Sequence, residues 1–314
     1  MTTVGAVDIG GTKLAVGIID ENGRLLCRLE APVETNWPYA SALECSVNML
    51  QEAVRRTGTD IAGIGIGSTG PLNPFTGEFT NVAFFPHWRG ENLVQDLEKV
   101  FHVPVAIEND GDAAALAEAG WGAGRQKARF LYITIGTGIG AGIVLDGKIY
   151  RGAGQAHPEI GHYVIDPSGP SCDCGFHGCW ESLAAGPAMT AWMRSNAPAD
   201  YPHLSDMSAR NVCALAKAGD ELARRAVERE ALYLGVGIAN LVTIFVPDAI
   251  ALSGSLMKSA DLFLPTIRKT IAKSCRFVPA DKTELALASL GDDANLIGAG
   301  RVWFYRFDSS QGRI

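Results

Sequence analysis

The sequence predicts an α/β fold with mixed sheets, built as two domains that are related by an internal duplication. Strand-like apolar segments alternate with helical segments along the chain, which is typical of α/β proteins. The pattern of strand, glycine turn and strand occurs twice, at residues 3–30 and 130–150. The chain has 314 residues, which is long for a single core, so we expect one copy of the pattern in each domain.

The first half of the chain begins with three predicted strands. They are TVGAVDI, LAVGIID and RLLCRLE, with GGTK as the first turn and ENG as the second. A helix over 40–57, a strand over 61–68, a helix over 91–100, a strand VPVAIE over 103–108 and an alanine-rich helix over 111–119 follow.

The second half repeats this hairpin and then becomes mainly helical. The hairpin reads FLYITI, GTGIGA and GIVL, followed by DG and KIY. Beyond a cysteine-rich segment we expect a long helix over about 219–245, a strand DAIALSG and a last helix from about residue 293.

Composition and charge argue against several functional classes. Apolar residues make up 47% and charged residues 19%, as in compact globular proteins. A net charge of −7 disfavours a surface for nucleic acid or for anionic membranes. No run approaches about 18 apolar residues, and the start MTTVGAVDIGG lacks the features of a signal peptide. We therefore expect a cytoplasmic protein with neither a nucleic-acid nor a membrane partner.

The two glycine turns are suited to phosphate. Glycine allows positive φ and lets a polyanion approach the backbone amides closely, although a tight hairpin alone also explains such a turn. Neither turn is a GxxxxGK[ST] loop, and GTGIGAG precedes a strand where a dinucleotide fingerprint requires a helix. The pattern predicts a nucleotide site in which each domain offers a hairpin to the phosphates.

Four motifs together resemble the ROK family. They are DIGGTK at 8–13, ENDGDAA at 108–114, GTGIGAGI at 136–143, and EIGH with CDCGFHGCWES at 159–182. The resemblance runs from residue 4 to about 302 and implies an ATP-dependent sugar kinase or a related transcriptional repressor. It also implies the duplicated actin-like, hexokinase-type (ribonuclease H-like) fold, with two domains and a cleft between them. We expect residues 1–120, joined by the last helix at about 293–314, to form one domain, and 121–292, with a metal-binding insert at 157–186, to form the other.

Phosphoryl transfer to a sugar hydroxyl needs a base beside that oxygen and neutralisation of charge around the γ-phosphate. Asn109 and Asp110 follow the predicted strand VPVAIE, at the end of a strand where α/β ligand sites gather. The resemblance implies that this pair binds the sugar and that Asp110 is the catalytic base. The alternative is that Asp110 caps the next helix, a role that Asp112 could also take.

The resemblance also implies binding residues for the sugar, for ATP and for Mg²⁺. The nucleotide and Mg²⁺ are expected at Asp8, Gly10, Gly11, Thr12 and Lys13, at Gly136, Thr137 and Gly138, and at Gly254 and Ser255. The sugar is expected at Gly70, Asn109, Asp110, Glu159, His162 and Glu181. Lys13 has the alternative interpretation of a solvated surface lysine.

Three of the seven cysteines, Cys172, Cys174 and Cys179, lie within eight residues. Disulfides are rare in a reducing compartment and an odd cysteine count fits them poorly, which leaves a metal site or buried thiols. With His162 they give H-x9-C-x-C-x4-C, the ligand set of a closed, structural Zn²⁺ site.

His157 and His177 are alternative zinc ligands. We expect the metal to take no part in chemistry but to fix the segment that carries Glu159 and Glu181, and so to shape the sugar pocket.

The choice of sugar depends on a loop that departs from the family pattern. Glucose kinases of the family usually have an asparagine shortly before a tryptophan in the loop after the 61–70 strand, whereas Phe84 occupies that place before Trp88 and Asn81 lies further upstream. The segments HPEIGH and FHG resemble the corresponding motifs of fructose and N-acetylmannosamine kinases. Glucose, phosphorylated at its 6-hydroxyl, is the first prediction, and fructose or N-acetylmannosamine is the alternative.

A repressor of the family carries a DNA-binding region ahead of the sugar domain. Here DIGGTK begins at residue 8, which favours a kinase over a non-catalytic sugar sensor. The resemblance also implies a homodimer.

Overall fold

The computed structural model of the chain describes residues 1–34, 36–80, 85–202, 204 and 207–308. Asn81 and Phe84, on which the choice of sugar depends, lie outside the described residues.

In the part of the chain that the structure describes, ten strands form two five-stranded sheets. The strands are β1 (Thr3–Ile9), β2 (Lys13–Asp20), β3 (Leu25–Pro32), β4 (Ile64–Ser68), β5 (Val105–Asn109), β6 (Arg129–Ile135), β7 (Ile139–Leu145), β8 (Lys148–Ile149), β9 (Ala249–Ser253) and β10 (Glu284–Leu287). The first sheet has the order β3-β2-β1-β4-β5, and the second, read in the matching direction, has the order β8-β7-β6-β9-β10. The same order is thus built twice, and the prediction of a duplicated α/β fold with mixed sheets is confirmed.

The register of the first sheet brings the ends of three strands together. β1 is antiparallel to β2 and parallel to β4, and β4 is parallel to β5. Asp8 is therefore opposite Gly67, and Ser68 is opposite Asn109. Because the carboxyl ends of parallel strands meet at one edge of a sheet, the residues that follow β1, β4 and β5 gather there.

Nine helices lie in the described part of the chain. They are α1 (Tyr39–Thr57), α2 (Leu93–Phe101), α3 (Asp110–Trp121), α4 (Trp180–Ala184), α5 (Gly186–Asn196), α6 (Ala209–Ala218), α7 (Glu221–Phe245), α8 (Ala260–Ser274) and α9 (Ala294–Phe307). α9 packs on α3 and on the first sheet, whereas α7 packs on α8 and α6. The predicted helices over 40–57, 91–100, 111–119 and 219–245 correspond to α1, α2, α3 and α7 within a few residues.

The described chain divides into two compact units. The first comprises Met1–Tyr132, Gly142–Pro158 and the described part of Ala288–Ile314, and the second comprises Ile133–Ala141 and Glu159–Leu287. The division into domains at residues 120 and 292 stays a prediction. No helix among the described residues is long and apolar enough to cross a membrane.

Candidate active site

The first glycine turn joins β1 to β2 in the first unit. The backbone N–H of Gly10 donates to the carbonyl of Lys13 at 3.0 Å, which closes the hairpin. Gly11 and Thr12 are exposed at its tip. The Lys13 ammonium is half-exposed and lies 3.8 Å from a carboxylate oxygen of Glu30, so its charge has a partner on β3.

Asp8 lies buried beneath this turn, with 3% of its surface exposed. Burial raises the pKa of the Asp8 carboxyl to about 7, and the negative charge of Asp110 raises it further, while Lys13 and Arg28 act in the opposite direction. A carboxylate that is both desolvated and close to a second carboxylate is disfavoured in its charged form. A divalent cation would relieve that cost, because oxygen ligands with negative charge are what Mg²⁺ prefers.

Asn109 and Asp110 form the junction between β5 and α3. Asn109 is the N-cap of the helix: its Oδ1 accepts from the backbone N–H of Gly111 at 2.8 Å. Asp110 is the first residue of the helix, and its Oδ1 accepts from the same N–H at 2.8 Å. The alternative interpretation of Asp110 or Asp112 as the cap is therefore wrong, because the preceding asparagine fills that position.

Gly70 lies beside this junction. A side-chain Cβ at Gly70 would be 3.4 Å from the Nδ2 atom of Asn109. Gly70 and Asn109, both predicted to bind sugar, are thus neighbours, and both belong to the first unit.

The second glycine turn joins β6 to β7 in the second unit. The backbone N–H of Gly136 donates to the carbonyl of Gly138 at 2.9 Å, and Thr137 is exposed between them. A Cβ at Gly136 would lie 3.2 Å from the hydroxyl of Ser255. Gly254 has φ +94°, and a Cβ there would lie 2.6 Å from the backbone nitrogen of Ile135, so only glycine fits. The turn and the SGS segment therefore meet, as a shared nucleotide site requires.

Glu181 contacts the same turn from the first turn of α4. Its Oε2 atom accepts from the backbone N–H of Ile139 at 2.8 Å. Glu159, in contrast, is exposed and precedes the short helical turn Ile160–His162, where its carbonyl accepts from the N–H of His162 at 3.1 Å. Both carboxylates belong to the second unit.

His162, Cys172, Cys174 and Cys179 form one cluster, with their ligand atoms within 4.8 Å of one another. The Nδ1 atom of His162 lies 3.4 Å from the Sγ of Cys172, and the Sγ atoms of Cys174 and Cys179 are 3.5 Å apart. Ligands about 2.0 to 2.3 Å from a tetrahedral zinc lie about 3.5 to 3.8 Å from each other, so the donor set fits the metal.

The cluster's loop is tightly turned. The Cys172 N–H donates to the carbonyl of Phe176 at 2.8 Å, and the N–H of Gly178 donates to the carbonyl of Pro170 at 2.8 Å. Burial raises the pKa of the Cys179 thiol to about 12, whereas the backbone N–H of Phe176 lowers the pKa of the Cys174 thiol. A metal would compensate the buried thiolate, since it binds the deprotonated form.

Among the described residues, neither of the two alternative histidine ligands belongs to this cluster. The Nδ1 atom of His157 is 3.0 Å from a carboxylate oxygen of Asp112. His177 shares an isolated bridge with Ser171 and is not part of the group of four.

Pairs of charged residues that the sequence does not predict surround the β5–α3 junction. Glu108 pairs with the guanidinium groups of Arg151 and Arg306, and Asp112 pairs with His157. Burial raises the pKa of Glu108, and Arg151 acts against this shift. No local pattern reveals these pairs, because Arg151 lies 43 residues beyond Glu108.

The chain is similar to known proteins over nearly its full length. The sequence pattern of the ROK family matches residues 4–305. The glucokinase of Streptomyces coelicolor is 33% identical over 95% of this chain and 96% of that protein. The glucokinase of Halalkalibacterium halodurans is 34% identical over 94% and 92%. The xylose repressor of Bacillus spizizenii is 28% identical, over 96% of this chain and 77% of the repressor.

Solved structures show the same fold. A ROK family glucokinase from Streptomyces griseus, in complex with glucose and AMPPNP, has a TM-score of 0.79 and 30% identity, covering 95% of this chain and 98% of that one. A ROK hexokinase from Thermus thermophilus has a TM-score of 0.80 and 33% identity, covering 96% and 97%.

Proposed function

Because the chain belongs to the ROK family, we propose that it transfers the γ-phosphate of ATP to a hydroxyl group of a hexose. The chain is thus an ATP-dependent sugar kinase, and glucose is its first candidate substrate, with the 6-hydroxyl as acceptor. The observation that carries this proposal is the position of Asp110, which begins α3 beside Asn109 and raises the pKa of the buried Asp8.

Asp110 is the general base of the proposed reaction. Its carboxylate accepts the proton of the sugar hydroxyl as that oxygen forms a bond to the γ-phosphorus, and the bond between this phosphorus and the β,γ-bridging oxygen breaks to release ADP. Its position supports this role, because it is half-exposed at the end of β5, among the gathered strand ends of the first sheet. Asn109 and Gly70 next to it orient the sugar.

The two glycine turns bind the triphosphate in this proposal. Gly10, Gly11, Thr12 and Lys13 serve in the first unit, and Gly136, Thr137, Gly138, Gly254 and Ser255 serve in the second. Exposed backbone N–H groups and small side chains let phosphate oxygens approach closely. Asp8 is the residue that would hold Mg²⁺, which when bound neutralises charge on the phosphates.

Zinc has a structural role in the proposal, held by His162, Cys172, Cys174 and Cys179. With four protein ligands it leaves no open position for a reacting water. Since Nδ1 of His162 faces the thiol of Cys172, the other ring nitrogen is the atom proposed to contact the sugar. Glu159 and Glu181, which flank the metal loop in the sequence, complete the proposed sugar ligands.

Fructose and N-acetylmannosamine are the alternative substrates, and the sequence HPEIGH favours them. A transcriptional regulator without catalysis is a second candidate function, because the chain is similar to a xylose repressor. The presence of Asp110 and of both glycine turns in this chain supports the kinase instead. A homodimer and a cytoplasmic location also belong to this proposal.

A sugar panel tests the proposal. ADP release from Mg-ATP is measured with glucose, fructose, mannose, N-acetylmannosamine and N-acetylglucosamine, each against a control without sugar. We expect at least one sugar to raise ADP release far above this background, and sugar 6-phosphate to form in equal amount. If no sugar raises it while a sugar still binds by calorimetry, the regulator is the correct function.

A further inference from the structure

The two carboxylates on either side of the Asn109–Asp110 pair are buried, although the pair itself is half-exposed. Glu108 is 1% exposed on β5, and Asp112 is 2% exposed on α3. A buried carboxylate is stable only when a cation or hydrogen-bond donor faces it. The positions of these two side chains therefore depend on their partners, and the backbone between them depends on their positions.

Both carboxylates have partners on one short segment that follows β8. Arg151 pairs with the Oε1 atom of Glu108, and the Nδ1 atom of His157 lies 3.0 Å from the Oδ2 atom of Asp112. The side chains of Arg151 and His157 are only 10% and 15% exposed, so neither contact is a solvated surface pair. We call the segment 151–157 the clamp.

The backbone of the clamp holds its two ends at a fixed spacing. The N–H of Gly152 donates to the carbonyl of Ala156 at 2.8 Å, and these residues are the immediate neighbours of Arg151 and His157. The N–H of Gln155 also donates to the carbonyl of Gly152, at 3.2 Å. A loop closed in this way contacts the β5–α3 junction on both sides of Asp110.

A third element supports the Glu108 side of the clamp. The guanidinium of Arg306, on α9, donates to Oε1 of Glu108 at 3.1 Å and to the carbonyl of Pro74 at 3.2 Å. The ring of Phe75 lies 5.5 Å from the Arg151 guanidinium and 4.6 Å from that of Arg306. Arg151 is thus held on two sides. The contact between the Nδ1 atom of His157 and Asp112 is an ion pair only when the imidazole is protonated.

We propose that Arg151 and His157 are positioning residues for the base Asp110, acting through Glu108 and Asp112. This inference rests on the proposed function, because it assumes that Asp110 is the base. Proton abstraction needs the base within hydrogen-bond reach of the hydroxyl, and a displacement of about 1 Å lowers the rate by about 100-fold. The clamp residues need not touch the sugar, so their loss should lower kcat more than it raises KM.

The test compares His157→Ala and Arg151→Ala with conservative variants. His157→Asn keeps a polar atom near the Nδ1 position, whereas His157→Gln moves that atom one bond outward, and Arg151→Lys keeps only the charge. We expect kcat to fall at least 10-fold in the alanine variants, with the KM values for sugar and ATP within about 3-fold of the parent. His157→Asn should recover most of the kcat that His157→Gln loses, so the comparison stands even if His157→Ala does not fold.

Glu118→Gln is the matched control. Glu118 is a fully buried carboxylate on the same helix, and it accepts from the N–H groups of Ser289 and Leu290 at 2.8 Å, at the end of α3 away from Asp110. The Glu118→Gln variant should lower the melting temperature, as the clamp variants do, but should leave kcat near that of the parent. If Glu118→Gln lowers kcat equally for an equal loss of melting temperature, the clamp has only a structural role.

The same experiment separates this inference from the proposed function. In an Asp110→Asn background, adding His157→Ala should cause little further loss of kcat, because both changes act on one step. An Asp110→Asn protein with normal turnover overturns the proposed base. An inactive Asp110→Asn protein, together with clamp variants whose kcat stays within 2-fold of the parent, overturns the clamp alone.

Discussion

The Oε2 atom of Glu181 accepts a hydrogen bond from the backbone N–H of Ile139 at 2.8 Å. Glu181 lies two residues beyond the metal-cluster residue Cys179, and Ile139 directly follows the second glycine turn. The metal loop and the proposed phosphate turn are therefore joined by one charge-assisted contact, which is stronger than a hydrogen bond between neutral groups. A substitution that displaces the metal loop is therefore expected to shift the proposed phosphate turn, and the reverse.

Replacing Gly138 by alanine should break this contact. A Cβ at this position would collide with Oε2 of Glu181, so the carboxylate must leave the N–H of Ile139. Because Glu181 is a proposed sugar ligand, we expect the sugar KM to rise about 10-fold, the equivalent of one hydrogen bond. The measurement is steady-state kinetics with sugar and ATP varied in turn.

Gly140→Ala is the control for the Gly138 variant. It lies in β7, where a Cβ would meet only the Cγ2 atom of Thr134, at 3.3 Å. It should leave the sugar KM near its original value. An unchanged sugar KM in folded Gly138→Ala protein would show that Glu181 does not bind the sugar.

The cysteine cluster should hold about one zinc per chain in protein purified without chelator. Cys172→Ser removes one of the four ligands, so zinc content should fall well below one equivalent, and the melting temperature should fall with it. Sugar KM should rise more than ATP KM, because the proposed sugar ligands Glu159 and Glu181 lie next to the cluster in the chain. Elemental analysis and kinetics on the same preparation measure both effects.

Cys45→Ser serves as the control for the loss of a thiol, because Cys45 lies on α1, outside the cluster. It should keep the zinc and both KM values. If Cys172→Ser loses zinc but keeps its sugar KM, the cluster does bind zinc. The predicted effect of the metal on the sugar site would then be wrong.

Much of the fold can be predicted from the sequence because its signals are local. β1 and β2 consist largely of apolar residues around a glycine turn, and both strands are buried along nearly their whole length. The same pattern at β6 and β7 repeats the topology of the first sheet. The metal cluster is also local: its cysteines lie within eight residues, and the loop that they occupy brings His162 to them.

The rest depends on contacts between distant parts of the chain. The N-cap of α3 could not be placed from the sequence, since Asp110 and Asp112 are both good capping residues, and the structure has Asn109 at that position instead. The partners of Glu108 and Asp112 have no sequence signal. They are an arginine and a histidine more than forty residues away, and no local pattern marks these two residues as partners of buried carboxylates.

Asp110→Asn should keep the fold and the binding of sugar but lose turnover. The amide preserves the size of the side chain and can still accept from the N–H of Gly111, but it cannot take up a proton. Removal of a positioned base typically lowers the rate by about 100- to 10,000-fold, with little change in KM. Single-turnover kinetics and calorimetric sugar binding measure the two properties separately. Near-normal turnover would move the base to another carboxylate.

The buried carboxyl of Asp8 contributes to the pH dependence of stability. Its pKa is about 7 in the folded protein and 3.8 as the ordinary value, mainly because burial disfavours the charged form. Between about pH 4 and 7 the unfolded chain has therefore lost this proton while the folded chain still holds it. The contribution of Asp8 to the free energy of unfolding falls as pH rises through this window and then stays constant, by roughly 4 kcal/mol in total for a difference of about three pH units.

Asp8→Asn should consequently stabilise the free protein at pH 8 while it abolishes the use of Mg-ATP. The amide is neutral at every pH, so the cost of a buried charge near Asp110 disappears, and with it the negative group proposed to hold Mg²⁺. Urea unfolding at pH 8 should show a gain of about 2 to 4 kcal/mol over the parent. At pH 4 Asp8 is neutral in the folded protein and only about half ionised in the unfolded chain, so the gain should shrink to less than about 1 kcal/mol. Calorimetry in buffers of different ionisation enthalpy adds a second readout, since Mg-ATP binding at pH 6.5 should release a proton from Asp8 in the parent and none from the variant. A variant that is no more stable than the parent at pH 8, or equal proton release in both proteins, would mean that Asp8 does not carry the charge that the nucleotide site is proposed to use.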